Sequence, residues 1–122
     1  MYFIARLLTV LVGLAHVGFM ILEMFLWNTP TGHRIFALTP EQSAATAVLA
    51  ANQGLYNGLI AAGLFWAAAS GRRDLSVFFL VCVIMAGLFG GLTAKPTIIL
   101  FQAAPAFVAL MAVLAAKSPQ PA

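Results

Sequence analysis

Charged residues are scarce in this sequence: among 122 residues, 6 are Lys or Arg and 3 are Asp or Glu, which is 7% in all. A soluble domain carries about 25% charged residues, so this chain lacks the polar groups needed to cover a soluble surface. Hydrophobic residues make up 63% of the sequence. These proportions predict an integral membrane protein.

Cysteine is nearly absent as well. The single Cys82 lies in an apolar run, which excludes an intrachain disulfide and favours a buried, inert thiol. The net charge of +3 comes from basic residues scattered at the expected helix ends, so we expect no nucleic-acid partner. No small-x-small cleavage site precedes Trp27, so the N-terminal apolar run is expected to be a retained span.

The apolar stretches predict four membrane helices. At about 20 residues per span, four spans nearly exhaust the length and leave no room for a separate soluble domain. The expected fold is all-α, a compact bundle of four transmembrane helices. The predicted segments are spans at about 3–27, 45–69, 75–94 and 98–116, an outer loop and protruding helix start at 28–44, and a flexible tail at 117–122. Thr39, Pro40 and Gln42 form a capping-box pattern that should begin the second helix.

Basic residues set the expected orientation. One side of the predicted bundle has four of them, Arg6, Arg72, Arg73 and Lys117. The other side has two, Arg34 and Lys95. The positive-inside rule therefore places both termini in the cytoplasm of a multi-pass cell-membrane protein, expected in a bacterial inner membrane.

A polar seam follows the first helix at alternating steps of three and four residues. Its members are Arg6, Thr9, Gly13, His16, Met20, Glu23 and Trp27. This spacing is typical of a face packed against neighbouring helices. His16 and Glu23 lie about 10 Å apart along the axis, too far for a direct hydrogen bond. A charged carboxylate at the bilayer centre costs about 3 kcal/mol, so Glu23 is a candidate functional group.

A second polar set lies in the run 48–58, whose sequence is VLAANQGLYNG. Counting depth from the centre of each span places these polar groups near those of the first helix, in the outer half of the membrane. The predicted ligand contacts are His16, Glu23, Asn52, Gln53, Tyr56, Asn57 and Gln102. The alternative for the carboxamides is interhelical hydrogen bonding alone, worth about 0.6 kcal/mol per contact.

Two small-x-x-x-small motifs predict close helix packing, within the chain or in a homo-oligomer. They are Gly54/Gly58 and Gly87/Gly91. Pro105 should kink the last helix and free the carbonyl of Phe101 beside Gln102, or act as a simple kink. A buried carboxylate and a histidine too far apart to share an ion argue against a metal, and no cofactor is expected. His33 and Arg34 are interpreted as solvated loop residues.

Four motifs carry a resemblance that covers essentially the whole chain. They are LEMFLW at 22–27, VLAANQGLYNG at 48–58, AGLFGG at 86–91 and FQAAPA at 101–106. Together they resemble a family of small membrane proteins, the domain of unknown function 1304. The resemblance implies a four-helix integral membrane protein and no activity that can be transferred. Its motif positions coincide with the polar seam.

Three functions remain open at this point. The leading one is binding or transport of a small lipophilic molecule with a polar or cationic group, with Glu23 as counter-ion or proton acceptor. The second is an intramembrane enzyme such as an isomerase, in which Glu23 and His16 exchange protons with substrate. The third is an accessory subunit of a membrane complex, in which the polar seam only holds helices together.

Overall fold

The computed structural model describes residues 2–117, and every regular element within them is helical. The elements are α1 (Tyr2–Met24), α2 (Pro30–Phe36), α3 (Pro40–Ser70), α4 (Arg73–Thr93), a π-helical turn (Ile99–Ala103) and α5 (Ala104–Ala115). The predicted all-α class is confirmed for this part of the chain. Of the predicted tail, residues 118–122 lie outside the described residues.

Helix α1 ends at Met24, before the predicted end of the first span. The backbone N–H groups of Phe25 and Leu26 both donate to the carbonyl of Ile21, four and five residues back, at 3.0 and 3.2 Å, and the second of these bonds is typical of a helix C-terminus. Trp27 therefore lies in a turn and does not continue the seam of the helix. The helix ends here because the next residues, 28–32, favour a turn. The Thr29-Pro30 pair within them then begins a new helix.

That new helix, α2, occupies part of the predicted outer loop. Thr29 is its N-cap and accepts a hydrogen bond from the Gly32 N–H at 3.3 Å, and Pro30 follows at the first helical position. Ala37 ends the helix in the left-handed conformation with φ of 53°. The sequence predicts a loop at this position. A helix forms instead because Thr29-Pro30 is a helix-start signal of the same kind as Thr39-Pro40 before α3.

The capping box at the start of α3 is confirmed. The N–H of Gln42 donates to Thr39 Oγ1 at 3.1 Å, and the N–H of Thr39 donates to Gln42 Oε1 at 3.0 Å. These reciprocal bonds satisfy two backbone donors that the first turn would otherwise leave open.

Replacing Thr39 by alanine should lower the free energy of unfolding by about 1 kcal/mol, because one backbone donor loses its acceptor. Thermal unfolding followed by circular dichroism in detergent would measure the change. Thr39→Ser keeps the hydroxyl and serves as the control. An equal loss in both variants would contradict a role for the hydroxyl.

The α-helical hydrogen bonding is interrupted just before α5. The N–H of Ala104 donates to the carbonyl of Ile99, five residues back, which defines the π-helical turn. Pro105 follows at once and has no N–H to continue the normal ladder. The predicted irregularity at Pro105 therefore takes the form of a widened turn, and the free carbonyl of Phe101 stays a prediction.

The chain divides into two compact units. The first contains residues up to Gly13 and from Ala62 onward, and the second is Leu14–Ala61. In the first unit, α4 packs against α5 and the π-helical turn. The interior of this unit is chiefly apolar: Leu64, Leu80, Val83, Ala106 and Ala109 are at most 1% exposed.

The second unit combines the end of α1, α2 and the first part of α3, and its interior is different. Its buried apolar side chains are only Ala50 and Ala61, whereas His16, Ser43 and Asn57 are all buried polar residues. The chemistry-bearing side chains of the protein are thus concentrated in the interior of this unit.

Two helices within residues 2–117, α1 and α4, are long and apolar enough to cross a membrane, judged by length and composition. The segment Ile99–Ala115 is apolar but shorter. Helix α3 has 31 residues, and the carboxamides in its middle lower its hydropathy.

Candidate functional site

A carboxylate and an amide meet in the second unit. The Nδ2 group of Asn57, on α3, donates to Oε2 of Glu23 in the last turn of α1 at 2.8 Å. Asn57 is 7% exposed and Glu23 is half-buried. The Asn57 amide is therefore buried inside the unit, whereas part of the Glu23 side chain is exposed.

Glycine allows the two helices to approach closely enough for this bond. A Cβ atom on Gly54 would lie 2.5 Å from Met24 Cγ and 3.1 Å from Glu23 Cβ. On Gly58 it would lie 2.6 Å from Met20 Sδ. The predicted close packing at this motif is confirmed within the chain, while the homo-oligomer through the same motifs stays a prediction.

No cation of the described chain neutralises Glu23. Within residues 2–117, the one salt bridge joins Arg72 and Asp74, at 2.6 Å. The same part of the chain contains no group of three or more His, Cys, Asp and Glu side chains that could hold a metal ion. A carboxylate accepts up to about four hydrogen bonds, and Asn57 supplies one. Glu23 can therefore receive a cation or further donors from outside the chain.

His16 belongs to the same unit, two helical turns before Glu23. It is 1% exposed, and its ring meets the ring of Phe19 edge-on, with centroids 5.2 Å apart. Its burial on α1 agrees with the inward seam predicted for this helix.

Three other predicted ligand contacts lie on the exposed surface of α3. Asn52 donates to the carbonyl of Val48 on its own helix at 3.3 Å, Gln53 is exposed, and Tyr56 is 64% exposed. Gln102 is partly exposed and lies in the π-helical turn, in the first unit. Of the seven predicted contacts, the structure joins Glu23 and Asn57 by a direct hydrogen bond.

A second polar cluster in this unit had not been predicted. Ser43 is fully buried, its Oγ lies 2.7 Å from Nε2 of His33, and its hydroxyl donates to Oδ1 of Asn28 at 2.5 Å. The Ser43 hydroxyl has two oxygen acceptors, Asn28 Oδ1 and the carbonyl of Pro40 at 3.1 Å, which favours the tautomer in which Nε2–H of His33 donates to Ser43. The interpretation of His33 as a solvated loop residue was therefore wrong.

Trp27 extends this cluster. Its Nε1–H donates to Thr46 Oγ1 at 3.0 Å, and its ring lies 4.6 Å, between centroids, from that of Phe36. No helical or strand period in the sequence relates residues 27, 28, 33, 36, 43 and 46. They meet in the structure because α2 lies between two turns and packs its residues against the start of α3.

These features define an all-helical protein with two helices able to cross a membrane and a carboxylate–amide pair at a glycine-lined helix contact. The chain belongs to DUF1304, a family described as proteins of unknown function, which matches residues 10–114. The predicted family is confirmed.

One relative is an uncharacterised protein, YpaA, of Lactococcus lactis subsp. lactis. It is 36% identical over 109 residues, which cover 86% of this chain and 92% of that protein. No solved structure matches the chain.

Proposed function

We propose that this chain is a four-span membrane protein that binds, and carries through the membrane, a small lipophilic molecule with a cationic group. The observation that carries this proposal is the pairing of Glu23 with an amide donor and with no cation of the described chain. The ligand's cationic group would contact the Glu23 carboxylate, and Asn57 would hold that carboxylate in place.

The membrane assignment is supported by the four longest helical segments. Helices α1 and α4 qualify by length and composition. Helix α3, at about 1.5 Å per residue, is about 45 Å long, which exceeds a hydrocarbon core of about 30 Å. The 17 residues from Ile99 to Ala115 would form the fourth and shortest span. We place both termini in the cytoplasm of a cell membrane, as the basic residues indicate.

Electrostatics supports a cationic ligand. An ionised carboxylate in hydrocarbon costs about 3 kcal/mol on insertion scales, and one amide hydrogen bond offsets only part of that cost. A bound cation or a proton removes the rest. Because Glu23 is half-buried and Asn57 is buried, a ligand can approach the carboxylate from its open side.

A second candidate is an accessory subunit whose polar groups only join helices. It is favoured by the satisfaction of polar groups in the interior: within residues 2–117, every buried side-chain nitrogen and oxygen has a hydrogen-bond partner. The intramembrane enzyme with Glu23 and His16 has no comparable observation in its favour.

Replacing Glu23 by glutamine separates these candidates, because the amide oxygen of glutamine still accepts from Asn57 while the charge is lost. We expect the variant to bind tetraphenylphosphonium, a lipophilic cation, at least about tenfold more weakly, since an ion contact of about 1.4 kcal/mol or more disappears. Equilibrium dialysis of the purified protein in neutral detergent would measure the affinity, and uptake into proteoliposomes would measure transport.

The control is Glu41→Gln, which removes the same charge from the exposed first turn of α3, outside the proposed hydrocarbon core. It should leave the affinity within about twofold, since an isolated exposed charge contributes little. Equal affinity of wild type and Glu23→Gln, with unchanged thermal stability, would reject the binding proposal in favour of the accessory subunit.

A further inference from the structure

A small cavity of about 130 Å³ is lined by residues of the first unit only. It lies between the start of α1, the end of α3, the start of α4 and the end of α5, and it is partly open at the surface. Its polar lining consists of Tyr2, Arg6, Thr9, Gly71, Arg73 and Ser76. A water molecule occupies about 30 Å³ of liquid, so the cavity has room for a group several times larger.

Two guanidinium groups border this cavity, and neither meets a carboxylate among the described residues. Arg6 donates to the carbonyl of Ala69 at 3.2 Å, and Arg73 donates to the carbonyl of Leu114 at 2.9 Å. Each guanidinium has five N–H donors, so most of them remain available. Asp74 lies next in sequence but pairs with Arg72, which is not part of the lining.

The remaining polar groups fix the shape of the cavity. The hydroxyl of Tyr2 donates to the carbonyl of Gly71 at 2.7 Å, and Arg6 lies over the Tyr2 ring, 5.7 Å from its centroid. Gly71 has φ of 68°, which a glycine tolerates, and a Cβ there would collide with the Tyr2 hydroxyl. Thr9 and Ser76 are 1% and 8% exposed, and each hydroxyl donates to a carbonyl of its own helix turn.

We propose that this cavity binds a phosphate-bearing anion through Arg6 and Arg73. Guanidinium groups bind phosphate oxygens by paired, charge-assisted hydrogen bonds, and two such groups around a confined space match one phosphate group. The anion is either free inorganic phosphate or the headgroup of an anionic phospholipid. The lipid source depends on the proposed membrane insertion, which places this end of the helices at the cytoplasmic headgroups; the free-phosphate source does not.

The test measures the thermal unfolding midpoint of the full-length protein in neutral detergent as a function of added ligand. The probes are inorganic phosphate, with chloride at matched ionic strength, and short-chain phosphatidylglycerol, with short-chain phosphatidylcholine as comparison. A ligand that binds only the folded state raises the midpoint with concentration, which gives its apparent affinity. We expect Arg6→Gln and Arg73→Gln each to weaken that affinity at least about tenfold.

Lys95→Gln is the matched control, since Lys95 is an exposed basic residue of the first unit that does not line the cavity, and the affinity of this variant should stay within about twofold of wild type. Arg73→Lys keeps the charge and should retain part of the binding if the fold is intact. Stabilisation by phosphate as well as phosphatidylglycerol supports a free-phosphate site, and stabilisation by phosphatidylglycerol alone supports a headgroup site. No stabilisation by either probe, or equal stabilisation in the Arg6→Gln and Arg73→Gln variants, overturns the proposal.

Discussion

Replacing Gly87 by valine is expected to destabilise the protein by about 3 kcal/mol or more, the upper end of overpacking costs. A Cβ atom at Gly87 would lie 2.7 Å from the backbone nitrogen of Ala103 and 3.0 Å from its Cα. Because the obstacle is backbone and not a flexible side chain, α4 and the π-helical turn must separate. Unfolding in detergent, followed by circular dichroism against temperature or denaturant, would measure the loss.

Gly18→Ala is the control for this substitution. Gly18 lies on α1, and no atom lies within 4 Å of the position that its Cβ would take. The free energy of unfolding should therefore stay within about 1 kcal/mol of wild type, with a small gain from helix propensity. If Gly87→Val unfolds at the wild-type midpoint, the close contact between α4 and the π-helical turn is wrong.

The glycine motifs show which features of a helix contact the sequence predicts and which it does not. The spacing of Gly87 and Gly91 predicts that another helix approaches closely, and a Cβ at either glycine would indeed clash with the turn before α5. The spacing does not identify the partner, because the partner's shape depends on a π-helical turn. That turn follows from Pro105, whose position predicts an interruption but not its form.

The inward-facing positions of the two helices can be compared with those that the sequence predicts, whereas their role as ligand contacts stays a prediction. On α1, the seam spacing correctly identified His16 as a buried position. On α3, the buried positions also recur at steps of three and four: 50, 54, 57, 61, 64 and 68. Asn57 lies on this seam, whereas Asn52, Gln53 and Tyr56 lie beside it and are exposed. Grouping polar residues by depth alone therefore predicts more inward-facing residues on α3 than the structure has, since the direction of each side chain around the helix also decides what faces inward.

The cluster around Ser43 could not be predicted in the same way. Its members come from a turn, a short helix and the start of α3, so no helical period relates them. The signal that was missed is Thr29-Pro30, which begins α2 and thereby carries His33 to Ser43. A short helix between two long ones depends on such caps, because seven residues bury too little surface to be recognised by hydrophobic period.

Replacing Ser43 by alanine is expected to lower the free energy of unfolding by about 2 kcal/mol, because the buried hydroxyl makes hydrogen bonds with both His33 and Asn28, each worth about 1 kcal/mol. Asn28 Oδ1 would lose its donor and His33 Nε2 its acceptor, and the space left by the fully buried Ser43 hydroxyl would be empty. Thermal unfolding in detergent would give the overall loss. In a Trp66→Phe background, which leaves Trp27 as the single tryptophan, the fluorescence of Trp27 should report opening of this end of the second unit at lower temperature, because its indole is bonded to Thr46 on α3.

Ser70→Ala is the matched control, because the Ser70 hydroxyl is exposed and its two hydrogen bonds are long, at 3.4 Å each. Its cost should be within about 0.5 kcal/mol. A double-mutant cycle with His33→Ala then isolates the pair: once Ser43 is alanine, removing the imidazole should cost much less than in wild type. Additive losses would mean that His33 and Ser43 do not interact.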